Sequence, residues 1–87
     1  MSDLNLNIFT PEGVIVSGLE VESLIIPTST GQINVLKGHT QLLTKMGTGV
    51  LKVKTSKGEK SYTMSGGLCK VLGSEVTILS DKTEVID

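Results

Sequence analysis

The sequence predicts an all-β protein of about ten short strands, arranged as a two-sheet β-sandwich or a flattened barrel. Ten glycines divide the 87 residues into short segments rich in β-branched side chains, which is typical of many short strands. Apolar and polar residues alternate within those segments, as in strands with one buried face. No stretch of ten residues keeps the period of an amphipathic helix. Because a chain of this length is too short for two cores, we expect one domain over residues 1–87.

Four strands are expected in the first half of the chain, and turn residues separate them. They cover residues 4–8, 14–16, 19–26 and 32–35. The Thr-Pro-Glu-Gly segment at residues 10–13 predicts a turn, because proline presets φ and glycine tolerates positive φ. Pro27 should close the third strand, because it cannot donate to a ladder. Gly31 and Gly38 should bracket the fourth strand.

Six further strands are expected in the second half. They cover residues 41–46, 51–54, 61–65, 69–71, 76–78 and 85–86. The clearest hairpin surrounds the turn at residues 56–58, because alternation is regular on both sides of it. Gly47 and Gly49 predict a turn before this hairpin. Gly66 and Gly67 should end the strand after it and permit a close approach of backbone.

The net charge of −1 conceals a separation of charge along the chain, because residues 37–70 hold seven lysines and one acid. These lysines are either solvated faces of strands that protect edges from pairing or a patch for an acidic partner. Nucleic acid is not an expected partner, because the chain has no arginine for bidentate contacts and only two aromatic residues for stacking. A nucleic-acid surface would have to be built from Lys52, Lys54, Lys57 and Lys60.

The sequence offers little equipment for catalysis or metal binding. His39 is the only histidine and Cys69 the only thiol, so neither a zinc site nor a Cys/His couple has the groups it needs. No phosphate-binding loop of the Walker type occurs. We therefore expect no enzyme activity, no cofactor and no metal. Cys69 alternates in phase with Val71 and is expected in the core.

The compartment is predicted from cysteine content and hydropathy. A single cysteine forms no intrachain disulfide, which favours a reducing, intracellular location. Met1 is followed by polar residues and not by the pattern of a signal peptide. The longest apolar runs, such as residues 24–26, are far shorter than the ~20 residues that cross a bilayer. Any membrane association is expected to go through another protein.

One alternative function is that of a carrier domain of the lipoyl or biotinyl type, which is a small all-β unit with a modified lysine on a hairpin. Lys45, followed by Met46, is the residue that would carry the group. The acidic residues that usually flank such a lysine are absent here.

A resemblance to a known family begins at residues 31–44, which read Gly-Gln-Ile-Asn-Val-Leu-Lys-Gly-His-Thr-Gln-Leu-Leu-Thr. This segment resembles Gly-Gln/Glu-X-Gly-Val-Leu-Pro-Gly-His-X-Pro-Leu-Leu-Thr of the epsilon subunit of F-type ATP synthases. Other segments agree with that family in order and spacing; they are residues 9–13, 17–18, 26–28, 65–67 and 76–79. The similarity covers essentially the whole chain.

The resemblance implies a ten-stranded β-sandwich in the rotating stalk of the synthase. In that family the domain packs on the gamma subunit and on the polar loops of the c-ring, so that proton-driven rotation reaches the catalytic head. It has no active site, and it is held through the complex at the cytoplasmic face of the inner (cell) membrane. By position, the residues expected to face the c-ring are Ser29, Thr30, Gly31 and Gln32. Those expected to lie towards gamma are Thr10, His39 and Thr44.

The chain departs from the family pattern in two respects. Asn34, Lys37 and Gln41 replace a glycine and two prolines, so the loop is expected to be less rigid than in relatives. Most relatives continue into two helices that brake ATP hydrolysis, whereas the sequence ends at Asp87. We therefore expect the coupling role without the helical brake.

Overall fold

The computed structural model describes residues 4–36 and 41–86. These residues form eight β-strands and contain no helix, which confirms the all-β prediction. The strands are β1 (Leu4–Thr10), β2 (Gly13–Val21), β3 (Ser23–Thr28), β4 (Gly31–Leu36), β5 (Gln41–Thr55), β6 (Gly58–Leu72), β7 (Glu75–Ser80) and β8 (Thr83–Val85).

One hydrogen-bonded path joins seven of the strands in the order β2-β1-β7-β6-β5-β3-β4, and β8 pairs with β6 beside that path. Neighbours pair antiparallel except β1 and β7, which run parallel. β5 and β6 have 15 residues each. The strands that pair with them from outside, which are β3, β7 and β8, each pair along only one half of a long strand. The two long strands therefore carry the sheet from one layer into the next.

The sheet folds into two layers that face each other. The first layer contains β2, β1, β7 and residues 41–46 and 67–72 of the long strands. The second layer contains β4, β3, β8 and residues 48–55 and 58–65. At one side, the amide of Glu22 donates to the carbonyl of Lys54 at 2.7 Å, which ties the end of β2 to the second layer.

Both layers contribute to one apolar core. The residues that the alternation placed on inward faces are buried in it; they are Leu4, Leu6, Ile8, Leu51, Val53, Tyr62, Met64, Cys69, Val71, Val76 and Ile78. Since each such side chain contributes about 1.5–3 kcal/mol on burial, this single cluster is the main source of stability. No buried side-chain nitrogen or oxygen among residues 4–36 and 41–86 lacks a hydrogen-bond partner.

The predicted turn at Gly47 and Gly49 is wrong, and so is the predicted end of a strand at Gly66 and Gly67. β5 continues through the first pair, because neither glycine has positive φ. β6 continues through the second pair, where φ values of 81° and 128° change the course of the strand without ending its pairing with β5. Each long strand thus replaces two predicted short ones, which gives eight strands where ten were expected.

Pro27 does not close its strand, because β3 continues to Thr28. The ladder between β3 and β5 ends at the pair Ile25 and Lys52, so Pro27 lies past the residues that need donors on that side. The predicted turns at residues 10–13 and 56–58 are present.

The parallel pairing of β1 with β7 is supported by a polar network on the outer face. Asn5 and Asn7 each donate a side-chain hydrogen bond to the carboxylate of Glu75, at 3.2 Å in both cases. The side-chain oxygen of Asn7 also accepts from the amide of Gly18 at 2.9 Å, where the pairing of β1 with β2 shifts register. Three strands are therefore joined through one asparagine.

Candidate interaction surfaces

Three hairpin turns share one construction, in which a threonine is followed three residues later by a glycine. They cover residues 10–13, 28–31 and 55–58, and the glycine φ values are 134°, 137° and 134°. In each turn the threonine hydroxyl donates to the carbonyl of that glycine, and it accepts from the amide two residues after itself. The repeated Thr-X-X-Gly spacing is visible in the sequence at all three turns.

The turn at residues 28–31, together with Gln32 directly after it, contains the positions predicted to face the c-ring. The hydroxyl of Thr28 donates to the Gly31 carbonyl at 2.7 Å and accepts from the Thr30 amide at 3.3 Å. These two bonds fix the shape of the turn, and its outer residues are open to solvent. All four predicted contact residues are exposed; they are Ser29, Thr30, Gly31 and Gln32.

A second surface lies on the outer face of the first layer, where four apolar residues form a line across four strands. Val14 pairs with Phe9, Phe9 with Leu79, and Leu79 with Leu68. Paired residues point to the same face, and adjacent strands lie about 4.8 Å apart, so this line is about 14 Å long. We call these four residues the apolar row. Val14, Leu79 and Leu68 are 59%, 51% and 46% exposed, and Phe9 is half-buried.

Further apolar surface adjoins the apolar row on the same layer. Leu43 is 70% exposed, and Leu72 is about half exposed at 49%. An open groove of about 390 Å³ runs between the row and the turn at residues 10–13, with Pro11 and Asp81 on its rim. The outer face of the second layer exposes mainly polar residues, such as Lys52, Lys54, Thr63 and Asn34, with Leu36 as an exposed apolar residue beside them. Because contiguous exposed apolar patches mark interaction sites, the two faces differ in their capacity to dock a partner.

Sequence reasoning missed the apolar row. The signal that could have found it is the presence of Phe9, Leu68 and Leu79 at positions out of phase with the buried residues of their strands. Those positions should be polar in a strand with one wet face. Their alignment into one line depends on pairings between distant segments.

The residues predicted to lie towards gamma are only partly described. Thr10 and Thr44 are both half-buried, on β1 and β5, with β7 and β6 between them. The hydroxyl of Thr10 is engaged in its own turn, with the Glu12 amide at 3.2 Å and the Gly13 carbonyl at 3.3 Å. Thr44 donates to the carbonyl of Lys45 at 3.5 Å. His39 lies outside the described residues.

The described side chains do not support the chemistry of a carrier or of a metal site. Lys45 lies in the interior of β5, opposite Leu68, and not at a hairpin tip, so the carrier hypothesis loses the geometry it needs. No group of three or more potential ligands gathers among residues 4–36 and 41–86. Cys69 is buried, and burial raises the pKa of its thiol to about 12.

No helix able to cross a membrane is found in the two described ranges.

The comparison with family models gives a match to the ATP synthase, Delta/Epsilon chain, beta-sandwich domain over residues 3–86. The chain belongs to this family. Residues 31–44 resemble the epsilon subunits of this same delta/epsilon chain family. The resemblance inferred from those residues is therefore confirmed. The eight strands and two layers described above are this chain's form of the family's β-sandwich.

Relatives of this delta/epsilon-type domain are named ATP synthase epsilon chain. The chloroplast protein of Cyanidioschyzon merolae is 40% identical over 87% of this chain and 57% of its own length. The protein of Prochloron didemni is 37% identical over 97% of this chain and 61% of its own length. The chain therefore spans about three fifths of the length of these relatives.

Solved structures agree with the domain fold. A chain of the Euglena gracilis mitochondrial ATP synthase, in an assembly whose title includes the c-ring, superimposes with a TM-score of 0.91 and 25% identity. The match covers 100% of this chain and 57% of that chain. A chain of the Tetrahymena thermophila mitochondrial enzyme gives a TM-score of 0.79 at 11% identity, covering 94% of this chain and 66% of its own, and shares the fold.

Proposed function

We propose that this domain works as a non-catalytic rotor subunit in the central stalk of a proton-translocating ATP synthase. It docks on the gamma subunit and on the polar loops of the c-ring, and it transmits proton-driven rotation to the catalytic head. It is thereby held at the cytoplasmic face of the cell membrane through the complex. The observation that carries the proposal is the pairing of an apolar outer face with an exposed polar turn on one family-specific sandwich.

The apolar row supports docking on gamma. A stable contact between rotor subunits needs apolar surface that is desolvated on assembly, and the first layer offers it at Val14, Leu79 and Leu68. Thr10 follows Phe9 of the row directly, and Thr44 precedes Lys45, which pairs with Leu68. Thr10 and Thr44, the two described positions that the family resemblance assigns to gamma, are therefore chain neighbours of residues on this face, although Thr44 itself pairs with the buried Cys69 and points inward.

The turn at residues 28–31 supports docking on the c-ring. Ser29, Thr30 and Gln32 present hydroxyl and amide groups to solvent, which suits contact with polar loops. The Thr28 bonds hold the turn in one shape, so little conformational entropy is lost on binding. The Euglena assembly that contains the matching chain also contains a c-ring, which agrees with this partner.

A rigid body is required if torque is to pass between two partners without slippage. One core connects both layers, and β5 and β6 extend continuously through both. A load applied at the turn at residues 28–31 is therefore carried to the apolar row through packed side chains and ladder hydrogen bonds rather than through a hinge.

The test measures binding of the chain to gamma alone and to a gamma–c-ring complex. Leu79→Glu and Leu68→Glu should weaken binding to gamma at least tenfold, because each places a charge in the contact. Asn34→Glu, on the outer face of the second layer, is the matched control and should bind like wild type. Gln32→Ala should reduce only the affinity added by the c-ring, and His39→Ala only the affinity for gamma. Wild-type chain that fails to bind gamma at low and moderate salt would refute the proposal.

A further inference from the structure

The position of the turn at residues 28–31 depends on two glycines of another strand. The register between β3 and β5 ends at Ile25 and Lys52, so hydrogen bonds of that ladder do not reach the turn. Beyond that point the end of β3 lies directly against Gly47 and Gly49 of β5. Beyond the end of the ladder, the turn is therefore supported by close packing of the end of β3 against β5.

The contact distances leave no room for a Cβ at Gly49 and very little room for one at Gly47. A Cβ at Gly47 would lie 3.0 Å from the carbonyl carbon of Thr28 and 3.1 Å from the nitrogen of Ser29, and both are backbone atoms. A Cβ at Gly49 would lie 2.9 Å from the Cβ of Pro27, on a rigid ring. Neither glycine has positive φ, so alanine could adopt the backbone angles. Space, and not backbone conformation, is what these positions require.

We propose that Gly47 and Gly49 are positioning residues for the c-ring contact. They set the distance between β5 and the turn at residues 28–31, and so the position from which the turn contacts the c-ring. This inference rests on the proposed function. Relieving the Cβ contact at Gly49 from 2.9 Å to the 3.4 Å of ordinary contact requires a relative shift of about 0.5 Å between β5 and the end of β3, which leads into the turn. That equals the tolerance of about 0.5 Å within which binding groups must be held.

The experiment compares wild type with Gly49→Ala, and Thr48→Ala is the control. Thr48 lies between the two glycines, and its side chain is exposed, so Thr48→Ala leaves the packing under the turn intact. Two affinities are measured for each protein, one for gamma alone and one for the gamma–c-ring complex. Gly49→Ala should keep its affinity for gamma within twofold and lose about tenfold of the affinity that the c-ring adds. Thr48→Ala should keep both.

A compensating change separates positioning from general destabilisation. Pro27→Gly removes the Cβ that a methyl group at residue 49 would meet, so Gly49→Ala combined with Pro27→Gly should recover c-ring binding relative to Gly49→Ala alone. Amide chemical shifts provide a readout without any partner. Gly49→Ala should move the signals of residues 28–31, while the turn of like construction at residues 55–58 serves as the unperturbed reference.

Each outcome decides one of the two proposals. Wild-type chain that binds gamma but gains nothing from the c-ring would overturn the assignment of the turn in the proposed function. Wild-type chain that gains affinity from the c-ring, together with a Gly49→Ala variant that gains the same and shows unshifted signals at residues 28–31, would overturn the positioning role alone. Loss of gamma binding by Gly49→Ala would also overturn it, because the change would then act on the whole domain.

Discussion

Replacement of Gly67 by alanine should be among the most damaging single changes in this domain. Gly67 has a φ of 128°, where an L-residue is strained by about 1–3 kcal/mol. A Cβ there would also overlap the carbonyl oxygen of Leu79 and lie 2.9 Å from the Cα of Ser80. Both are backbone atoms of β7, so the strand itself must move, at a further cost of about 1–3 kcal/mol.

Gly66 is the matched control, because it has positive φ without the overlap. Its φ is 81°, and a Cβ there would meet only a carboxylate oxygen of Asp81, at the ordinary contact distance of 3.5 Å. Gly66→Ala should therefore lower the free energy of unfolding only by the backbone strain, which is about 1–3 kcal/mol. In a domain of this size, 1 kcal/mol lowers the melting temperature by about 4–8 °C.

The assay is thermal and urea unfolding of the two variants and wild type, followed by circular dichroism. Gly66→Ala should melt about 5–20 °C below wild type, and Gly67→Ala at least 5 °C lower again. Since a domain is stable by only about 5–15 kcal/mol, failure of Gly67→Ala to fold while Gly66→Ala folds agrees with the reasoning. A Gly67→Ala variant that melts within 2 °C of Gly66→Ala would refute it, because the overlap with β7 would then cost nothing.

Two further predictions concern a buried thiol and a turn hydroxyl. Burial raises the pKa of Cys69 from 9.0 to about 12, so the native thiol should resist maleimide at pH 8 and react rapidly in urea; equal rates would contradict its burial. Above pH 9 the unfolded thiol releases its proton, whereas the folded one retains it. The free energy of unfolding measured in urea should therefore fall between pH 9 and 12 more steeply for wild type than for Cys69→Ala. Thr55→Val removes the hydroxyl bonds to the Gly58 carbonyl at 3.0 Å and the Lys57 amide at 3.2 Å. It should lower the free energy of unfolding by about 1 kcal/mol, while Thr55→Ser keeps the hydroxyl and most of that stability; an unchanged urea midpoint for Thr55→Val would count against the turn bonds.

Local alternation was sufficient to predict which side chains enter the core. Leu6, Val53 and Ile78 were placed on inward faces by period-two spacing, and all three are buried. Turn chemistry was equally local, since Thr10 and Gly13 lie in one hairpin and make their bonds within it. Close approach of backbone at Gly67 was also predicted, although its partner on β7 was not.

Whether a glycine ends a strand or allows it to continue could not be read from its neighbours. Gly47 and Gly49 lie in a continuous β5, and they are glycines there because the end of β3 occupies the space beside them. Gly66 and Gly67 allow β6 to continue with positive φ, and β7 passes close to the backbone at Gly67. Both outcomes depend on a strand distant in sequence, which is why ten strands were predicted and eight are present.

The sequence by itself determined the all-β class, the inward-facing residues and the hairpin turns at residues 10–13 and 56–58, because each depends on residues close together in the chain, and its motifs determined the family. Tertiary structure decided the continuity of β5 and β6, the parallel pairing of β1 with β7, and the surfaces. Phe9 and Leu79 become neighbours only when those two strands pair in one register. A docking face is a property of strands brought side by side, and alternation within one strand carries no information about which strand will lie next to it.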